Sequence, residues 1–349
     1  MGALWFWIVA GMLTVYVVLD GFDLGVGIVY PLVARTEQDK QKAMHAIGPV
    51  WDGNEVWLIA GGGTLFFSFP LLYASSFSGF YLPLTMVLWL LMLRGLSIEL
   101  RGHAHDNVIR TFCDGTFFLS SALLAIFYGA ALANVVRGVP LGADDSFFLP
   151  LWTDWRTGPH PGILDWYTVL GGVLALLALA LHGLLYLALK AEGELNRNAK
   201  RWAKLLLPVV GIITLLSVPA TVVARPDSLN NYREHGLAWL APLVVIAGLA
   251  MVAISITKHW EFRAFIGSSA YLAAMMAGAA AGLYPVLLPA VGGEGKDITI
   301  ARALSGEHTL HVGLVWWTFG ILLALTYTAI VYWLFRGKVP EHAQGYGGH

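Results

Sequence analysis

The chain has 349 residues, of which 57% are hydrophobic and only 12% charged, with a mean hydropathy of +0.67. Soluble domains carry about 25% charged residues, so this composition excludes an ordinary water-soluble fold, and a net charge of -1 offers nothing to nucleic acid. The single cysteine, Cys113, excludes an internal disulfide and a thiolate metal cluster.

Long uncharged apolar runs recur along the whole length, which predicts an all-α polytopic membrane protein rather than a barrel. The opening Met1-Gly2-Ala3-Leu4-Trp5 lacks a basic start and reads as the beginning of a retained first helix. Nine spans follow, at about 4–33, 51–73, 78–100, 112–136, 163–189, 203–224, 237–257, 263–290 and 309–335. The first is longer than the roughly 20 residues a bilayer needs, so it tilts or projects. Gly21 with Gly25, and Gly278 with Gly282, have the small-xxx-small spacing of close helix contacts, and Gly61-Gly62-Gly63 marks another expected approach. Trp5, Trp7, Trp166, Trp239 and Trp333 sit near span ends, as an aromatic belt does.

Most of the 21 lysines and arginines lie in the connections after spans one, three, five and seven and in the tail. The positive-inside rule then predicts an N-terminus outside and a C-terminus in the cytoplasm, which requires an odd number of spans. The longest outer connection, about 137–162, carries Asp144, Asp145 and Asp154 and reads as a solvated loop or as a cover for a partner. A weak echo links Trp5 and Leu19-Asp20-Gly21 of span one to Trp166 and Leu181-His182-Gly183 of span five. Both spans start outside, so any repeat is parallel rather than inverted.

The stretch from Tyr16 to Gly63 holds the chemistry. Asp20 and Asp23 stand three residues apart in span one, and Asp52 and Glu55 repeat that spacing at the start of span two beside Asn54. Residues at this spacing share a helix face. Carboxylates at membrane depth cost roughly 2.5–3.5 kcal/mol each on insertion scales, so they are expected to face a bundle interior, a partner or a water path. Arg94 and Glu99, at the inner end of span three, are candidates for the same polar layer. Two readings stand side by side: these groups carry protons, or they cap helices and tie spans together. Asp52, between Trp51 and Trp57, is the strongest proton candidate. Only His182 lies well inside a span, where one histidine without a second ligand reads as a buried polar contact more readily than as a haem ligand. No CxxCH, no pair of histidines at helical spacing on one span and no phosphate-binding loop is present.

Gly21-Phe22-Asp23-Leu24-Gly25-Val26-Gly27, Trp51-Asp52-Gly53-Asn54-Glu55-Val56-Trp57-Leu58, Ser78-Gly79-Phe80-Tyr81 and Ala180-Leu181-His182-Gly183-Leu184-Leu185-Tyr186-Leu187 together resemble subunit II of the bacterial cytochrome bd-type quinol oxidases, cyanide-insensitive-oxidase-like members included. The resemblance covers the whole chain. It implies two four-helix bundles plus one extra helix, here 1–137, 163–290 and 309–335, in one integral membrane domain. It implies a multi-pass protein of the bacterial inner membrane that belongs to a quinol:oxygen oxidoreductase. Haem b and haem d would be carried by subunit I, with quinol as substrate of the complex, quinone or lipid as a neighbour, and room for a small third subunit. It also implies a cytoplasmic proton path through Asp52, with Asp20, Asp23, Asn54, Glu55 and Glu99 as further members. Gly21, Phe22, Gly25, Trp51, Trp57 and Arg94 are then packing or partner contacts. The competing reading is a proton-coupled secondary transporter, although such proteins tend to show inverted repeats and interrupted midplane helices. A membrane scaffold without chemistry leaves the carboxylates unexplained.

Overall fold

The computed structural model describes residues 1–339. Helices dominate because a chain in hydrocarbon must satisfy its backbone polar groups internally. The first is α1, Gly2–Val33. A surface helix follows, α2, Glu37–Ile47, started by a capping box in which Thr36 accepts from the Asp39 amide and Asp39 accepts from the Thr36 amide. Next come α3, Trp51–Ser68, α4, Pro70–Gly79, α5, Tyr81–His103, and α6, Asn107–Arg137. The second half begins with α7, Trp166–Lys190, capped by Asp165, and α8, Gly193–Ala224. It continues with the short α9, Asn230–Glu234, then α10, Leu240–Thr257, and α11, Glu261–Leu283. A two-stranded antiparallel hairpin, β1 (Val286–Leu288) with β2 (Ile298–Thr299), leads to α12, Ile300–Ala303, and the last long helix, α13, Glu307–Leu334.

Among the described residues, eight segments are long and apolar enough to cross a membrane. The ninth expected span, 51–73, differs: it is α3 and α4, broken at Phe69 where Pro70 takes the first position of the next helix. The polar Trp51-Asp52-Gly53-Asn54-Glu55 start keeps α3 from qualifying on composition alone. It nevertheless packs lengthwise against α1. Asn54 reaches Leu19 and Asp23 of α1, while Thr64 reaches Met12, so α3 runs antiparallel along α1. The expected span 263–290 stops earlier, at Leu283, because Pro285 cannot continue a helix.

Close approaches of small residues set the centre of the molecule. A Cβ on Gly25 would overlap the carbonyl oxygen of Leu179, and one on Gly183 would overlap the backbone of Gly25, so α1 and α7 cross in backbone contact. Gly21 faces Leu179 while Gly25 faces Gly183, which makes the two helices parallel. Tyr16 bonds Tyr128 and Tyr30 bonds Asp114, so α6 runs antiparallel to α1. Gly129 with Gly171 joins α6 to α7, and Gly248 with Gly267 joins α10 to α11. Gly61 lies against Leu13 of α1, whereas Gly62 and Gly63 face open space. Gly278 and Gly282 receive Tyr232 and Ser228 from the segment around α9.

The connection 138–165 is not a loose loop. Val139 bridges Ala290, the Gly295 amide donates to Leu141, and Arg302 pairs with Asp145 at 2.8 Å. Val139, Leu141, Leu288 and Ile298 are fully buried between this connection and the hairpin.

Candidate functional site

The crossing of α1 with α7 buries the polar residues of α1 by force of backbone contact. Asp20, Phe22 and Asp23 are each 0% exposed. Asp20 faces α5, where both Arg94 Nη atoms donate to its two oxygens, Nη1 to Oδ2 at 2.8 Å. Arg94 is equally buried, so this is a bidentate, fully desolvated ion pair.

Asp23 faces α3 instead. Its Oδ2 accepts from Asn54 Nδ2 at 2.7 Å, and its Oδ1 is buried with no hydrogen-bond partner. Among the described residues Asp23 forms no ion pair. The Asn54 amide also donates to the Leu19 carbonyl at 3.3 Å, while its own Oδ1 accepts from the Tyr332 hydroxyl of α13 at 2.9 Å. Phe22 is stacked on Tyr186 of α7 with centroids 3.9 Å apart, closing one side of the network.

Glu55 is half-buried and feels the charges of Arg94, Asp20 and Asp52. Asp52 lies in the first turn of α3 and is exposed on the surface of the chain, on an outward stripe with Val56 and Ile59. No side chain caps α3. Trp51 lies against Gly95 of α5, at 3.4 Å from where a Cβ would stand, and Trp57 is buried. Glu99 is exposed and does not join Arg94: five residues place the two about 140° apart around the helix.

The histidine expectation can be tested on geometry. His182 Nδ1 lies 2.7 Å from Ser268 Oγ and Nε2 lies 3.0 Å from the Val18 carbonyl, with the ring stacked on Phe265. Since a carbonyl only accepts, Nε2 carries the proton and Nδ1 accepts from Ser268. Both ring nitrogens are therefore spent on protein, and the residue does not fit a haem iron. Among the described residues no group of three His, Cys, Asp or Glu side chains is placed to hold a metal ion.

Sequence reasoning missed two features. Tyr332 belongs to no motif and reads as one more aromatic near a span end. A second polar cluster sits where the end of α1, the end of α5 and the start of α6 meet α2: Asp114 accepts from Arg101 at 2.5 Å, Lys40 at 2.7 Å and Tyr30 at 2.9 Å, and Arg101 also reaches Glu37. The basic connections announced charge there, but not which pairs form.

A family model described as cytochrome bd terminal oxidase subunit II matches residues 1–335. The chain is 31% identical over 313 residues to cytochrome bd ubiquinol oxidase subunit 2 of Bacillus subtilis, covering 88% of each chain. It is 28% identical over 364 residues to cytochrome bd-I ubiquinol oxidase subunit 2 of Escherichia coli strain K12, covering 96% of this chain and 94% of that one. The structure is similar to a chain of bd oxidase from Geobacillus thermodenitrificans, with a TM-score of 0.77 at 16% identity over 96% of this chain and 98% of the other, a likeness of fold. A full-length family match, joined to a relative above 30% identity, leads to one conclusion: the chain belongs to the cytochrome bd terminal oxidase subunit II family.

Proposed function

We propose that this chain supports the haem-bearing subunit I of a quinol-oxidising, oxygen-reducing complex and lends it part of a proton path. The observation that carries the proposal is the polar network inside α1, α3, α5 and α13. Asp20 is neutralised by Arg94 and acts as a tie. Asp23 is held by an amide rather than a cation, so it is the carboxyl that can exchange a proton without breaking an ion pair. Asp52 and Glu55 stand nearer the surface of the chain and supply the approach to it.

Reduction of oxygen to water consumes protons, and a buried site needs titratable or hydrogen-bonding groups to deliver them. The lysine and arginine distribution supports an N-terminus outside and a cytoplasmic C-terminus in the bacterial inner membrane. The network then lies towards the cytoplasmic side. The outward stripe of Asp52, Val56 and Ile59 supports contact with subunit I, since a carboxylate facing lipid carries the full insertion cost. That both ring nitrogens of His182 are committed, to Ser268 and Val18, supports the reading that haem b and haem d are carried by subunit I. A small third subunit is compatible with the exposed apolar faces of α8, α10 and α13. The parallel pairing of α1 with α7 supports a division into two bundles, 1–137 and 163–290, with 309–335 as the extra helix.

Purification of the native protein tests this reading. A haem-bearing partner that co-purifies and shows quinol-dependent oxygen consumption supports it. A lone chain that moves protons with a solute in liposomes overturns it.

A further inference from the structure

We propose that Tyr332 is a positioning residue for Asp23, acting through the amide of Asn54. The inference rests on the reading of Asp23 as a proton-exchanging carboxyl. An asparagine amide presents donors at one end and an acceptor at the other. With Nδ2 towards Asp23, Asn54 donates to the carboxyl, whereas turned over it would set its own carbonyl oxygen against a carboxyl oxygen. The Leu19 carbonyl, which only accepts, keeps Nδ2 on that side, and the Tyr332 hydroxyl holds the amide there from its other end by donating to Asn54 Oδ1 at 2.9 Å.

The setting of α13 gives this contact weight. Among its described residues only Leu310, near the outer end, is buried, and most of the helix faces outward. Its inner end is nevertheless tied down. Tyr332 lies edge-on to Phe22, with centroids 6.5 Å apart. Beyond it, Lys190 Nζ donates to the Phe335 carbonyl at 2.6 Å, the Val339 amide donates to the Lys190 carbonyl at 2.8 Å, and Lys338 pairs with Glu261 at 3.1 Å. A peripheral helix is thus clamped where the Tyr332 hydroxyl meets the buried amide. The titratable and charged groups that face Asp23 are Asp20 of α1, Glu55 of α3, Arg94 of α5, Tyr186 of α7 and Tyr332 itself.

The test uses the assembled oxidase complex with Tyr332→Phe, which keeps the ring and removes the hydroxyl. The expected result is a fall in kcat of about threefold to tenfold, the scale of one hydrogen bond, with haem content and the KM for quinol unchanged. In an Asn54→Ala background the same substitution is expected to add nothing, because the two act in one chain of contacts. Parental kcat for Tyr332→Phe, or an equal fractional loss in both backgrounds, overturns the inference. Asp23→Asn separates the two layers of argument. Full turnover in Asp23→Asn removes the proton reading itself, whereas loss there with full turnover in Tyr332→Phe removes only the role of Tyr332. If Tyr332→Phe does not assemble, fluorotyrosine at position 332 keeps the hydroxyl and strengthens it as a donor. A shift in the infrared carboxyl band assigned by Asp23→Asn then supports the inference, and an unmoved band overturns it.

Discussion

Asp20 and Asp23 illustrate how far spacing carries at the scale of single residues. Three residues apart they share a broad face, yet they are still about 60° apart around the axis. That is enough to send Asp20 to Arg94 on α5 and Asp23 to Asn54 on α3. Likewise Asp52 and Asn54, two residues apart, point about 200° apart, so one is exposed and the other buried. The motif was legible as a cluster, but the division of labour within it was not. Arg94→Leu leaves the charge of Asp20 buried and unpaired, a change that costs about 3–5 kcal/mol. The complex is expected to accumulate poorly, read as haem per milligram of membrane, and Asp20→Leu combined with Arg94→Leu is expected to recover part of the yield. An equally poor double variant would mean that the pair does more than neutralise itself. For Asp52→Asn, quinol-oxidase turnover is expected to fall roughly tenfold, about 1.4 kcal/mol in the limiting barrier, with a normal haem spectrum. Asp52 caps nothing in α3, so wild-type oxygen consumption would reduce it to a first-turn residue outside the proton path.

Among the elements, the crossing of α1 and α7 depends on two glycines more than on any polar contact. Gly25 and Gly183 leave no room for a side chain because backbone from the opposite helix occupies the space. Gly25→Leu is therefore expected to block assembly, measured as loss of the haem-bearing complex from detergent extracts. Gly115→Ala on α6, where nothing lies within 4 Å, is the contrast and is expected to give normal yield. Equal yields of the two variants would show that the crossing tolerates separation. The sequence carried the Gly21/Gly25 spacing but named no partner for it. The echo between Asp20-Gly21 and His182-Gly183 suggested a repeat rather than a contact between the two helices. It aligned Gly21 with Gly183, whereas in the fold Gly183 meets Gly25.

For the whole molecule, the nine proposed traverses would put the termini on opposite sides, and the charge distribution supports a cytoplasmic tail. Asp154→Cys is expected to react with a membrane-impermeant maleimide on intact spheroplasts, and Glu194→Cys only after permeabilisation. Both positions are exposed, and the native Cys113 is buried and contributes little background. The reverse pattern would invert the proposed orientation and place the carboxylate network on the outer side. Expressed without a partner, the chain is expected to show no haem absorption. A stoichiometric Soret band would make His182 the first residue to examine.

Sequence alone determined the helical membrane fold, the approximate spans and the family, because each of these depends on long apolar runs or on local motifs. The rotation of each helix was decided only by tertiary structure. Lipid tails are as apolar as a protein core, so a span that is apolar all round does not encode which face is buried. That is why Glu99 was grouped with Arg94 although it points away, and why Tyr332 stayed hidden among aromatics. The break at Phe69 and Pro70 and the folding of 138–165 onto the hairpin were also decided there. They depend on contacts between segments that no local pattern brings together.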